Sequence, residues 1–262
     1  SSGIELWAHD TSNSSTWLVA DINSGSGDSS PGKHMQTLAG DTIYFSAFDG
    51  SSGTELWAHD TSNSSTWKVF DFDTLGHGNP GSYMEILVGD TIYFSSFGGV
   101  SIGQEIWAHD TSNSSTWLVA DINSGGNSSF PGQHLEILVG DTIYFSADDG
   151  SSGIELWAHN TSNSSTWQVA DINSGIEDSY LSGPNIEILA GDTIYFDATD
   201  GSSGSELWAH DTSNSSTWQV ADINSGVGNS FPGNHLDILV GDTIYFNAYG
   251  GSSIGTELWA HD

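Results

Sequence analysis

Six histidines recur at one place in a repeated phrase. They are His9, His59, His109, His159, His210 and His261, each between Ala and Asp or Asn. An imidazole beside a carboxylate is the beginning of acid–base or nucleophilic chemistry. Catalysis also needs unlike groups that converge and whose surroundings push their pKa values apart. Here one pair is copied six times without a partnered nucleophile. No Gly-x-Ser-x-Gly, His-Glu-x-x-His or P-loop pattern occurs. The histidines read as structural groups that bond a turn, and the chain is expected not to be an enzyme.

A second set of residues carries hard oxygen ligands. Asp21, Asn23 and Asp28 surround Gly25, and Asp71 and Asp73 hold the matching place fifty residues on. Asp121 and Asn123 with Asn127, Asp171 and Asn173 with Asp178, and Asp222 and Asn224 with Asn229 follow. Alternating carboxylate and amide oxygens around a glycine turn suit calcium, the one candidate cofactor. The stretch is shorter than an EF-hand loop and lacks its bidentate Glu. An Asx-turn that closes the connection uses the same residues.

Two further sets face carbohydrate chemistry. Asn13, Asn63, Asn113, Asn163 and Asn214 each begin Asn-Ser-Ser, and Asn127 and Asn160 also begin sequons, so glycosylation is expected. A Ser/Asn-rich turn matches the same pattern. The connections 27–34, 76–83, 126–134, 176–185 and 227–235 vary most, and they carry His34, Tyr83, His134 and His235 beside Pro and Gly. Such groups, repeated around a fold, stack on sugars and add avidity. Loop drift under weak constraint is the plainer account.

Composition narrows the partners. The 262 residues hold 34 Asp plus Glu against two cations, Lys33 and Lys68, for a formal charge of −32. Nucleic-acid and anionic-membrane binding need Lys and Arg, so neither is expected. Cys is absent, which excludes disulfides and thiolate ligands. No apolar run is long enough to span a bilayer as a helix. Apolar residues are only 36%, but 11 Trp, 11 Phe and 8 Tyr supply the area for a core.

The elements that position these residues are repeats. Glu-Leu-Trp-Ala-His begins at Glu5, Glu55, Glu155, Glu206 and Glu257, with an Ile variant at Glu105. Thr-Ser-Asn-Ser-Ser-Thr-Trp ends at Trp17, Trp67, Trp117, Trp167 and Trp218, and Gly-Asp-Thr-Ile-Tyr-Phe places Asp at 41, 90, 141, 192 and 242. Each unit of about fifty residues predicts four short strands, at 35–39, 42–47, 55–60 and 66–70 in the first full unit. The fourth strand keeps Trp and Val at its first and third positions but takes Leu, Lys or Gln between them. That predicts a half-exposed outer strand with Trp and Val on the packed face.

Four-stranded repeats of this length point to a β-propeller. The segment from Asp90 to Gly98-Gly99, then Glu105–Asp110 and Trp117, resembles a kelch blade. The phrase Glu-Leu-Trp-x-x-Asp with Tyr144–Gly150 is similar to the ELWxxDGT-type repeats of large secreted prokaryotic proteins. Here Thr-Ser-Asn stands where that family has Gly-Thr. The resemblance implies an extracellular or cell-surface repeat protein and implies no activity.

The expected fold is therefore all-β: a five-bladed propeller of four-stranded antiparallel blades in a single domain, 1–262. Counting gives 21 strands, five blades of four plus one. Glu5–Asp10 and Glu257–Asp262 are identical in sequence. The closing blade is expected to be shared between the termini, with one of these segments surplus. An unpaired strand is sticky: it can cap its own blade, mark a piece of a longer array, or pair with a neighbouring copy, and the expected partner is a second copy, joined head to tail by strand addition. The functional expectation is a non-enzymatic, acidic, glycosylated structural protein, a surface or filament subunit. The alternative is a multivalent carbohydrate-binding, lectin-like propeller.

Overall fold

Each unit turns on its glycines. Gly40-Asp41 joins two apolar runs, and Ala39 pairs with Thr42 across a two-residue turn with Gly40 at φ 59°. A second requirement sits at Gly53, Gly103, Gly153 and Gly204, with φ between 73° and 90°. A Cβ on Gly53 would lie 1.6 Å from the Gly76 carbonyl oxygen, so only glycine lets the connection close over the strand.

The computed structural model describes residues 3–74, 76–179, 181 and 186–262. They fall into two compact units, Ser1–Ser128 and Ser129–Asp262. Both are built from antiparallel strands joined in sequence order.

In the first unit β1 (Leu6–Asp10) pairs with β2 (Ser15–Ala20). Next come β3 (Gln36–Ala39), β4 (Thr42–Phe48), β5 (Thr54–Asp60) and β6 (Ser65–Phe70) in one meander. Then β7 (Glu85–Val88), β8 (Thr91–Phe97), β9 (Gln104–Asp110) and β10 (Ser115–Ala120) form another. Between these two meanders lies a core of Met35, Tyr44, Leu56, Phe72, Ile92, Phe94 and Trp107.

The second unit repeats the plan. One sheet is β11 (Glu136–Val139), β12 (Thr142–Asp148), β13 (Ile154–Asn160) and β14 (Ser165–Ala170). The next is β15 (Glu187–Ala190), β16 (Thr193–Ala198), β17 (Glu206–Asp211) and β18 (Ser216–Ala221). The last has β19 (Asp237–Val240), β20 (Thr243–Tyr249) and β21 (Thr256–His261). Tyr144, Leu156, Ile194, Phe196 and Trp208 share one core cluster, and Leu207, Ile244 and Phe246 another.

The described strands number 21, as the repeat arithmetic requires, but their grouping differs from five four-stranded blades. They form four four-stranded sheets, one three-stranded and one two-stranded. The blade expected to be shared between the termini is instead two sheets. The two identical segments are both in use: β1 pairs with β2, and β21 with β20.

The outer strand also differs. Trp67 is 40% exposed, while Lys68, at the position read as solvent-facing, is half-buried. A β-bulge follows directly: Leu56 pairs with Phe70 and Trp57 with Lys68, so Val69 is skipped and leaves the face it would share with Trp67.

Candidate functional site

The most repeated polar group is one the sequence reading left unassigned, the glutamate of Glu-Leu-Trp. It starts the third strand, where the following apolar residues bury it. Glu55 Oε2 accepts the Phe72 N–H at 2.8 Å and Oε1 the Gly78 N–H at 3.0 Å. Glu155 accepts from Ile172 at 2.7 Å and Asn173 at 3.3 Å, and Glu206 from Ile223 at 2.7 Å. Each carboxylate thus fastens the connection that follows its own sheet. Burial pushes Glu55 and Glu155 up to about 7, partly opposed by those N–H donors. The signal for this role was a lone glutamate copied unchanged ahead of a buried run.

Five of the repeated histidines share one kind of partner. Nδ1 lies 2.7–2.8 Å from a threonine Oγ1 on the neighbouring strand in His9–Thr16, His59–Thr66, His109–Thr116, His159–Thr166 and His210–Thr217. Tyrosines from the preceding sheet cover the rings. Tyr44 meets His109 at 5.1 Å, Tyr144 meets His210 at 5.4 Å, and Tyr195 meets His261 at 5.3 Å between centroids. Burial lowers His109, His159 and His210 below the ordinary histidine value.

The sequon asparagines sit in the hairpin between third and fourth strands. Asn63 Nδ2 donates to Asp60 at 2.6 Å, and its Oδ1 accepts the Ser65 N–H at 2.9 Å. Asn13, Asn113 and Asn214 make the same pair of bonds. Asn163 keeps only the second, because Asn160 replaces the aspartate and itself accepts from Ser162. Ser64 takes φ 60° to close this turn. The residues are exposed and turn-forming at once. Asn127 lies in a connection, and a Cβ on Gly103 would meet its carbonyl oxygen.

Most of the residues proposed for calcium bond the loops they belong to. Asn23 Nδ2 donates to the Asp28 carbonyl at 3.1 Å, and Asp28 Oδ1 accepts the Ile4 N–H at 2.7 Å. Asn123, Asn173 and Asn224 donate to the carbonyls of Ser128, Asp178 and Asn229. Asp178 and Asn229 accept the N–H groups of Ile154 and Ser205. Asp121 and Asp222 face the N–H groups of Gly125 and Gly226. Asp71 pairs with Lys68 at 3.1 Å, and Asp73 accepts the Gly76 N–H through its carbonyl at 3.0 Å. Asp171 stands at the end of β14, exposed. Among the described residues no three His, Cys, Asp or Glu side chains converge as a metal group.

The loop residues His34, Tyr83, His134 and His235 occupy matching places. Each N–H donates to a second-strand side chain: Ser46, Ser95 and Ser146 Oγ at 2.9–3.0 Å, and Asn247 Oδ1 at 2.8 Å. The next residue, Met35, Met84 or Leu135, is driven into the core. Asn185, the end of the fourth such connection, lies outside the described residues. Tyr83, Phe130 and Phe231 are exposed aromatics on these connections.

The first unit also holds an open groove. Leu6, Trp7, Trp17, Ile43 and His59 line a cavity of about 470 Å³ between β1–β2 and β4–β5.

No family model matches the sequence, and no curated protein matches it. Solved structures match the fold. Dipeptidyl peptidase 4 of Porphyromonas gingivalis aligns over 97% of this chain at 8% identity and TM-score 0.61. A puromycin hydrolase aligns over 87% at 12% identity and TM-score 0.53. The chain covers 40% and 35% of those proteins, respectively. TolB from Acinetobacter baumannii aligns over 83% at 12% identity and TM-score 0.41, with 51% of its chain covered. The likeness is one of fold: repeated four-stranded antiparallel sheets of the β-propeller type.

Proposed function

We propose that this protein is a non-enzymatic structural subunit of an extracellular or cell-surface assembly, acidic and glycosylated. One observation carries the reading. In most copies of the repeat the recurrent polar groups are engaged in bonds of their own hairpin or of the connection that follows it. The glutamate fastens a connection, the histidine bonds a threonine, and the asparagine and aspartate close a hairpin. Near-copies of one network build a scaffold, whereas an active site needs unlike groups in one place. The likeness to kelch-like and ELWxxDGT-type repeats of secreted proteins supports the location.

Electron microscopy of concentrated protein tests the role, with regular assemblies as the expected result. Intact mass of natively produced protein tests the sugars, expected on Asn13, Asn63, Asn113, Asn163 and Asn214. A second reading, a multivalent sugar-binding protein, is favoured by exposed Tyr83, Phe130 and Phe231 at related places. Binding on a glycan array by protein that stays monomeric would replace the first reading with the second.

A further inference from the structure

We propose that the groove beside β1–β2 receives the β19–β20 hairpin of a second copy of this chain. This rests on the structural reading above and names the contact through which the subunit assembles.

The repeat itself describes what fits the groove. In the first unit the matching face of the next sheet is covered by β4. Tyr44 packs there with Ile92, Phe94 and Trp107, and its ring meets His109. The groove presents Ile43 and His59, paired across β4 and β5, with Trp57 two residues before His59 on the same strand. Ile43 is only half-buried, whereas Ile92, Ile143, Ile194 and Ile244 are closed off. His59 has no ring contact among the described residues. The missing occupant is a second strand carrying a tyrosine.

Unit 2 presents that strand. β20 carries the same Gly-Asp-Thr-Ile-Tyr-Phe as β4. Its Tyr245 is 37% exposed, against 4% for Tyr44. On β19, Ile238 is 50% and Val240 57% exposed. Burying such a surface is the usual drive for association.

Pairing is already specified by sequence. β20 faces β21 with Tyr245 opposite Ala260 and Phe246 opposite Trp259. Against β1 the same register sets Tyr245 opposite Ala8 and Phe246 opposite Trp7, because β1 and β21 share Leu-Trp-Ala-His. Of the two, β1 is the better anchored. Glu5 is buried and accepts the Ile22 N–H and the Ser29 hydroxyl, both at 2.7 Å. Glu257 is exposed and Leu258 is 65% exposed. So β20 trades its own β21 for the neighbour's β1, and β21 is released. No acidic side chain lines the groove, which matters in a chain of charge −32. Each copy has one groove and one hairpin, so the contact runs head to tail and propagates.

Sedimentation velocity across a concentration series tests this, with circular dichroism to confirm folding. The full chain is compared with Tyr245→Asp, Tyr245→Phe, Ile43→Glu and a chain ending at Gly255. Tyr245→Asp and Ile43→Glu, on opposite sides of the contact, should each weaken association about tenfold or more. Tyr245→Phe should retain it. The chain ending at Gly255 should associate more strongly, since the competing β21 is gone. A protein that is monomeric at every concentration overturns the proposal, as does a chain ending at Gly255 that no longer associates. Assemblies indifferent to both charged variants overturn this contact while leaving the structural role standing.

Discussion

The ring of Tyr44 meets that of His109 at 5.1 Å and 51°, while His109 Nδ1 sits 2.8 Å from Thr116 Oγ1. One imidazole thereby joins its own hairpin to the sheet before it. Tyr44 is buried, so its removal leaves a cavity as well as an uncovered ring. Tyr44→Ala should cost about 3–5 kcal/mol, read as a lower urea midpoint with an unchanged slope. Tyr44→Phe keeps the ring contact and should lie close to the parent.

The buried glutamates give stability a pH dependence of known sign. Glu55 and Glu155 titrate at about 7 in the folded chain because burial disfavours their charge, against an ordinary 4.5. Between those values the folded state holds protons that the unfolded chain has shed, so stability falls as pH rises and levels off above 7. His109, His159 and His210 are lowered by burial from 6.5 and act the other way. Below 6.5 the unfolded chain takes up protons that they refuse. Glu155→Gln should therefore weaken the fall in melting temperature between about pH 5 and pH 7, the window in which the raised glutamate contributes. Added salt removes the part due to general repulsion among exposed carboxylates and leaves the buried part.

Lys68 donates to Ser52 Oγ at 2.7 Å and pairs with Asp71 at 3.1 Å and Asp49 at 3.4 Å. In the second unit Gln168 reaches Ser152 at 2.9 Å and Gln219 reaches Ser203 at 3.1 Å. The amide thus does the lysine's work in two near-copies of the same site. Lys68→Gln should change stability by less than about 0.5 kcal/mol at physiological salt, measured by denaturant titration.

Phe231 holds φ 47° ahead of Pro232, a left-handed backbone that a bulky side chain adopts at a cost. Asn79 holds the same φ at the matching place ahead of Pro80. Phe231→Asn should stabilise by about 0.5–1 kcal/mol and raise the melting temperature by about 1–3 °C in a calorimetric scan.

Several of the loop aspartates and asparagines bond one another or backbone groups. Calcium should then raise the melting temperature no more than magnesium at equal concentration, through screening alone. A calcium increment well above the magnesium one would restore a specific site.

Strand positions were legible because the repeat isolates them. Gly40-Asp41 and the Asn63 hairpin punctuate runs whose observed bounds, Thr42–Phe48 and Thr54–Asp60, lie within a residue or so of those read from sequence. The exposed face of the outer strand was not legible, because the types of Trp67 and Lys68 suggest the opposite of their exposure and no residue type marks the bulge at Val69. The Tyr–His contacts were hidden for a different reason. Tyr44 and His109 lie in different repeats, and nothing in either phrase says which copy supplies the partner. The candidate loop residues were found at matching places, but their shared duty, an N–H given to Ser46, Ser95 or Ser146, belongs to the backbone and leaves no side-chain signature.

The meander order has a kinetic consequence. A chain of near-copies offers every strand several wrong partners of almost equal affinity, the circumstance in which repeat proteins misassemble. Here the strands pair with sequence neighbours, as β4 does with β3 and β5. Short loops close first, so hairpins such as β5–β6 form before a distant copy can compete. Each completed meander then withdraws its edges from the pool. Folding order, set by loop length, does for this chain what sequence difference does for most proteins.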